Sequence, residues 1–252
     1  MKKLYKEFLR HDVLRHSAAL SYYIFIGLSS MLIIVASILS SITRYDVARQ
    51  YLMDVIAYFF NSDIAVIVSE VLVNQPNIIS SGVFGLIILI ISGTAALTYM
   101  QDSLNQMMDS YEARSVKGFL RRRIISLGLL FLFAIIIVLL ILSATFINSF
   151  IDSELIYSLN YFFQIVVTVI FLAFLYKYLP NKKRTWKQVL KGSIITGTLL
   201  MIGKILLELY LVLFDFNSFY GVASYSIITL IWIYVSMIII FLGAIIIALD
   251  KS

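Results

Sequence analysis

The sequence predicts an all-α polytopic integral membrane protein with six transmembrane helices and both termini in the cytoplasm. Three observations carry this expectation. Of 252 residues, 61% are hydrophobic and 13% charged, against about 45–50% and about 25% in soluble domains, and the mean hydropathy is +0.97. Six stretches are long and apolar enough to cross a hydrocarbon core of ~30 Å, which takes roughly 20 residues of helix. Basic residues fall almost wholly on alternate connections. A water-soluble fold could not hide this much apolar surface, and no stretch alternates apolar with polar residues as a transmembrane β-strand does.

Residues 1–17 mix Leu4, Phe8, Leu9, Val13 and Leu14 with Lys2, Lys3, Lys6, Arg10 and Arg15. That pattern suits a cytoplasmic amphipathic helix on an anionic leaflet. The first span, 18–42, is far longer than the roughly 7–15 apolar residues of a signal peptide, so it is expected to be retained. The outer connection, 43–80, holds two apolar blocks, 47–60 and 64–73, each too short to cross. They are separated by Asn61-Ser62-Asp63 and closed by Pro76. Asp63 suits an N-cap, so two short interfacial or re-entrant helices are expected, all within one membrane domain. The remaining spans are 81–99, 124–147, 155–178, 192–214 and 225–249.

Orientation follows from charge. The N-terminal segment and the second and fourth connections carry sixteen lysines and arginines, whereas the alternate connections carry only Arg44 and Arg49. The positive-inside rule places the basic side in the cytoplasm. The net charge of +6 therefore points to lipid rather than nucleic acid. Arg121, Arg122, Arg123, Lys182, Lys183 and Arg184 are the expected contacts to anionic headgroups. With no cysteine and two histidines, both near the N-terminus, thiolate chemistry is excluded, and no metal or other cofactor is expected.

Polar groups placed where they are expensive are the readable functional signal. Lys204 lies near the middle of the fifth span, and Glu208 follows at i+4 on the same helical face. The pair suits either a solute or proton pathway or a buried ion pair that locks helices together. Thr94, Thr98, Gln101 and Asn105 share one face of the second span, with Asp102 and Asp109 beside them. On the first span Tyr23, Ser30 and Ser37 recur every seven residues with Gly27 alongside, a pattern that favours close helix packing. A polar cavity shared by the first, second and fifth spans is the sharper alternative. Trp232 and Tyr234 lie deep in the last span, where their polar tips need partners.

The chain carries, in order, Ala19-Leu20-Ser21-Tyr22-Tyr23, Leu104-Asn105 through Tyr111, and Phe119-Leu120-Arg121-Arg122-Arg123. It continues through Tyr178-Leu179-Pro180-Asn181-Lys182-Lys183-Arg184-Thr185-Trp186-Lys187 to Gly192, then Lys204, Tyr220-Gly221 and Ile231-Trp232-Ile233-Tyr234. Taken in that order, these pieces resemble the YihY/BrkB family of bacterial inner-membrane proteins. Ser30 stands where the family commonly has proline, and Met201 and Ile245 where it often has glutamate. Members have been described as ribonuclease BN, as virulence or serum-resistance factors, and as transporters. Phosphodiester hydrolysis normally needs clustered carboxylates or histidines around metal ions, and the sequence offers no such cluster. One mid-membrane acid and one lysine are likewise too few for a named reaction. The resemblance and the polar groups together lead to the expectation of a non-enzymatic transporter or flippase-like protein for a small or lipid-linked, anionic solute. The alternative is a protein that organises lipids or partners in the envelope.

Overall fold

A computed structural model describes residues 2–42, 78–110, 154–213 and 223–250. Among the described residues the regular structure is helical. The six helices are α1 (Lys2–Arg10), α2 (Val13–Ile42), α3 (Ile78–Met107), α4 (Glu154–Tyr178), α5 (Trp186–Leu213) and α6 (Ala223–Leu249). Helices thus occupy five of the six expected spans. The span expected at 124–147 and both short helices expected in the outer connection lie outside the described residues.

Local chemistry explains where these helices start and stop. The basic N-terminal segment and the first span are separate helices because Asp12 adopts a positive φ of 48°, a conformation aspartate tolerates better than most residues. The second helix therefore begins at Val13, ahead of the expected 18. Asp109 takes the same φ of 48° after α3. There the Ser110 N–H reaches back to the Asn105 carbonyl at 2.8 Å, a Schellman-type closure that satisfies a terminal carbonyl. This lets α3 run about two turns past the expected end at 99. Pro180 lies just past the last turn of α4. Thr185 and Gln188 start α5 as a capping box: the Gln188 N–H donates to Thr185 Oγ1 at 3.4 Å, and the Thr185 N–H donates to Gln188 Oε1 at 3.3 Å.

Among the described residues, three helical segments are long and apolar enough to cross a membrane: Val83–Met107, Trp186–Leu207 and Ser226–Leu249. The described part of α4 adds a shorter apolar helix, Ile165–Tyr178.

The chain forms two compact units. One comprises Met1–Ser21, Ala96–Phe214 and Trp232–Ser252, and the other Tyr22–Ala95 and Asp215–Ile231. The core of the first unit includes Leu20, Leu104, Met107, Leu172, Leu179, Val189, Phe241, Ile245 and Ile247, all fully or almost fully buried. Ile245 is part of this apolar filling. In the same unit α4 packs along α5. A Cβ at Gly197 would lie 2.8 Å from Val169 Cγ2, so the two backbones approach closely. In the second unit α2 and α3 meet at small residues, where a Cβ on Gly27 would lie 3.6 Å from Ser92 Oγ.

Candidate functional site

The polar side chains of the first unit collect where α3 ends and α5 begins. Gln101 and Asn105, one turn apart on α3, are both buried. Gln101 Nε2 donates to the Leu179 carbonyl at 2.7 Å. Asn105 Oδ1 accepts from the Asn181 N–H, also at 2.7 Å. Together they fasten the Leu179-Pro180-Asn181 turn from α3, taking up the Leu179 carbonyl and the Asn181 N–H, which lie past the end of α4. Two separate stretches of the family resemblance, Leu104-Asn105 and Leu179-Pro180-Asn181, thus meet in space. Gln101 Oε1 is buried with no hydrogen-bond partner.

A second cluster joins α1 and the start of α2 to the end of α3. Ser103 Oγ lies 3.0 Å from His16 Nδ1, and the imidazole rests against the Tyr99 ring with centroids 5.6 Å apart. Burial, reinforced by the neighbouring Arg15 guanidinium, holds His16 below the usual imidazole range. His11 is buried with Nε2 3.4 Å from Glu7 Oε2 and 4.0 Å from Asp109 Oδ1. Arg10 spans the same two carboxylates, 3.1 Å from Glu7 and 3.6 Å from Asp109. Arg10 and Asp109 are both about half exposed, so their attraction is weak, but it ties α1 to the end of α3. Among the described residues no group of three His, Asp or Glu could hold a metal ion.

A third cluster has no counterpart in the sequence pattern. Tyr176 is fully buried, and its hydroxyl donates to the Ile240 carbonyl at 2.6 Å. Thr196 Oγ1 lies 3.3 Å from that hydroxyl and 2.8 Å from the Gly192 carbonyl, its acceptor within α5. The helices come this close because Gly243 has no side chain: a Cβ there would overlap Thr196 Oγ1 and lie 2.5 Å from Tyr176 Oη. Gly192 faces Ile247 in the same way. One tyrosine thereby links α4, α5 and α6.

The other expected site residues are distributed differently. Thr94 is buried and donates to the Ile90 carbonyl of its own helix at 2.5 Å, as Ser30 does to Ile26 at 3.0 Å. Such bonds satisfy a hydroxyl without opening a cavity. Thr98 is half-buried, as is Tyr23, whose ring meets that of Tyr22 edge-on at 6.2 Å. Ser30 keeps α2 helical where a proline would have bent it. Lys204 is half-buried on α5. Its neighbour Gly203 faces Trp232 and Ile239 of α6, with an added Cβ 3.5 Å from each. The side chain of Glu208 and all of Arg121, Arg122 and Arg123 lie outside the described residues. Lys182 and Lys183 are exposed, whereas Arg184 is half-buried and its carbonyl accepts from Lys177 Nζ.

Long apolar helices whose buried polar groups are mostly taken up by hydrogen bonds within and between the helices define a multi-pass α-helical membrane protein. The chain belongs to the family described as virulence factor BrkB, which it matches over residues 4–251. A stretch of 86 residues is 29% identical to a UPF0761 membrane protein of Idiomarina loihiensis, covering 34% of this chain and 30% of that protein. The chain therefore spans less than a third of that relative's length in the match. No solved structure matches the chain.

Proposed function

We propose that this protein is a non-enzymatic membrane transporter or flippase-like protein. In this reading it moves a small or lipid-linked anionic solute through a single domain of six spans, with both termini in the cytoplasm of a bacterial inner membrane. The observation that carries the reading is Lys204. A lysine near mid-span costs about 3 kcal/mol on insertion scales, and such residues mark solute or ion pathways more often than lipid-facing surface. Lys204 is half-buried, between Gly203 on the α6-facing side and the exposed Ile205 and Leu206. A cation there suits an anionic group in transit, and Glu208 one turn on supplies a counter-charge when no solute is bound. Membrane lipids with anionic headgroups are the partners this reading needs, and nucleic acid has no place in it.

The second reading, an organiser of lipids or partner proteins, is favoured by Gln101 and Asn105. Both spend hydrogen-bonding groups on holding a turn rather than lining a path. One experiment separates the two. Lys204→Met combined with Glu208→Leu is expected to melt close to wild type in detergent, because removing both opposite charges together leaves neither uncompensated. It is also expected to fail to complement a strain lacking the gene. Full complementation by the folded, charge-free variant overturns the transport reading at this position and leaves the organising role.

A further inference from the structure

The α4–α5 hairpin carries an exposed aromatic cluster that none of the polar clusters uses. Phe174 and Tyr178 stack with ring centroids 5.7 Å apart and planes 18° from parallel. Trp186 meets both edge-on at 6.3 Å. Each of the three is more than a third exposed, Tyr178 at 51%. Lys177 Nζ lies 5.2 Å from the centre of the Trp186 ring and donates to the Arg184 carbonyl, which holds its charge at the edge of the cluster. Lys182, Lys183 and Lys187 are exposed just beyond it. Residues 155–207 contain no aspartate or glutamate, so this positive charge has no counter-charge within its own segment.

Two rows of exposed apolar side chains lead away from the cluster. On α4 they are Ile170 and Val166, and on α5 Leu190 and Ile194, each a helical turn from the last. From Tyr178 to Val166 is roughly 18 Å of helix, comparable to half of a hydrocarbon core of ~30 Å. Tryptophan and tyrosine favour the level of the headgroups, with cations above them and apolar rows below. We infer that this face binds one anionic glycerophospholipid, its phosphate held by the lysines and its acyl chains lying along the two rows. A zwitterionic choline lipid fits less well. A quaternary ammonium drawn to the Trp186 ring would meet the like charge of Lys177 already beside it, and the surrounding lysines repel it. The site rests on the reading that anionic lipids are partners of this protein, but it lies on exposed residues of the hairpin and does not include Lys204, so its failure is distinguishable from failure of the transport reading at Lys204.

The chain has two tryptophans, so Trp232→Phe leaves Trp186 as its only indole. That variant is placed in phosphatidylcholine nanodiscs doped with acyl-brominated phosphatidylglycerol or, in parallel, acyl-brominated phosphatidylcholine. Trp186 is expected to be quenched at a mole fraction of phosphatidylglycerol lower by on the order of fivefold for each lysine engaged, about 1 kcal/mol apiece. Replacing Lys182, Lys183 and Lys187 with glutamine is expected to abolish the preference while leaving the melting temperature unchanged. Equal quenching by the two lipids overturns the site. Should Trp232→Phe not fold, native mass spectrometry of the wild-type chain makes the same distinction: preferential retention of phosphatidylglycerol supports the site, and equal retention of both lipids overturns it.

Discussion

Gly243 shows how much a missing side chain can decide. The Tyr176 hydroxyl can reach the Ile240 carbonyl only because nothing projects from Gly243 into the space it shares with Thr196. An added methyl must displace backbone or break the Tyr176 bond, and overpacking of that kind costs about 1–3 kcal/mol. Gly243→Ala is therefore expected to lower the thermal midpoint in detergent, measured against wild type at constant lipid content. Thr196→Ala removes the atom that Cβ would strike, so the double variant is expected to be more stable than the two single effects summed. A coupling of at least about 0.5 kcal/mol is the expected size for residues in contact. Simple additivity would mean that Gly243 is not what allows the approach. Gly243 carries no functional pattern in the chain, and Tyr176 reads as one more aromatic in an apolar run. Neither stands out in the sequence, because the importance of each lies wholly in what packs against it.

At the scale of the elements, the turn between α4 and α5 is held by side chains of α3 in addition to its own bond from Lys177 Nζ to the Arg184 carbonyl. Gln101 and Asn105 fill that role, and the capping box at Thr185 and Gln188 fixes the start of α5. Asn105→Leu leaves the Asn181 N–H without its acceptor, a loss of about 1–3 kcal/mol concentrated in the turn. Local opening then becomes easier, and proteolysis tracks the population of the open form when cleavage is slow. Trypsin is expected to cut after Lys182 and Lys183 faster in this variant, by about tenfold for each 1.4 kcal/mol lost. Fragment mass spectrometry, with cleavage at Lys3 as the reference, measures it. An unchanged rate at Lys182 and Lys183 would show that the turn does not depend on α3. Part of this element is legible in the chain: Thr185-x-x-Gln188 has the form of a capping box. The stripe Thr94, Thr98, Gln101 and Asn105 is legible as a shared face, but its use is not. A helical wheel gives direction without saying whether a bonding partner, a cavity or lipid lies opposite.

For the whole molecule, the distribution of lysine and arginine makes a claim about sidedness. With no native cysteine, single cysteines report it without background. Ser153→Cys and Ser218→Cys are expected to react with a membrane-impermeant maleimide added to intact cells. Ser115→Cys and Thr185→Cys are expected to react only after lysis. Labelling of Thr185→Cys from outside would reverse the orientation, and with it the assignment of the α4–α5 turn to the cytoplasmic face.

Membership of an α-helical membrane family was decided by the sequence alone, because lipid as a solvent admits few solutions. A backbone that finds no water must satisfy itself within a helix or a closed barrel. Twenty-residue apolar runs without alternation then leave only helices. The positions of Lys204 and Glu208 within a span are likewise properties of the chain, readable because burying charge is costly wherever it occurs. What only the tertiary structure decided was which polar groups have partners. Gln101 and Asn105 became fasteners, Thr94 and Ser30 turned back on their own helices, and Tyr176 joined three helices. Those outcomes depend on distances of a few ångströms between residues tens of positions apart, 78 in the case of Gln101 and Leu179. Hydrogen bonds weaken steeply with distance and angle, whereas hydropathy is summed over whole segments. The summed quantity survives in a one-dimensional reading, and the short-range one exists only once the helices have packed.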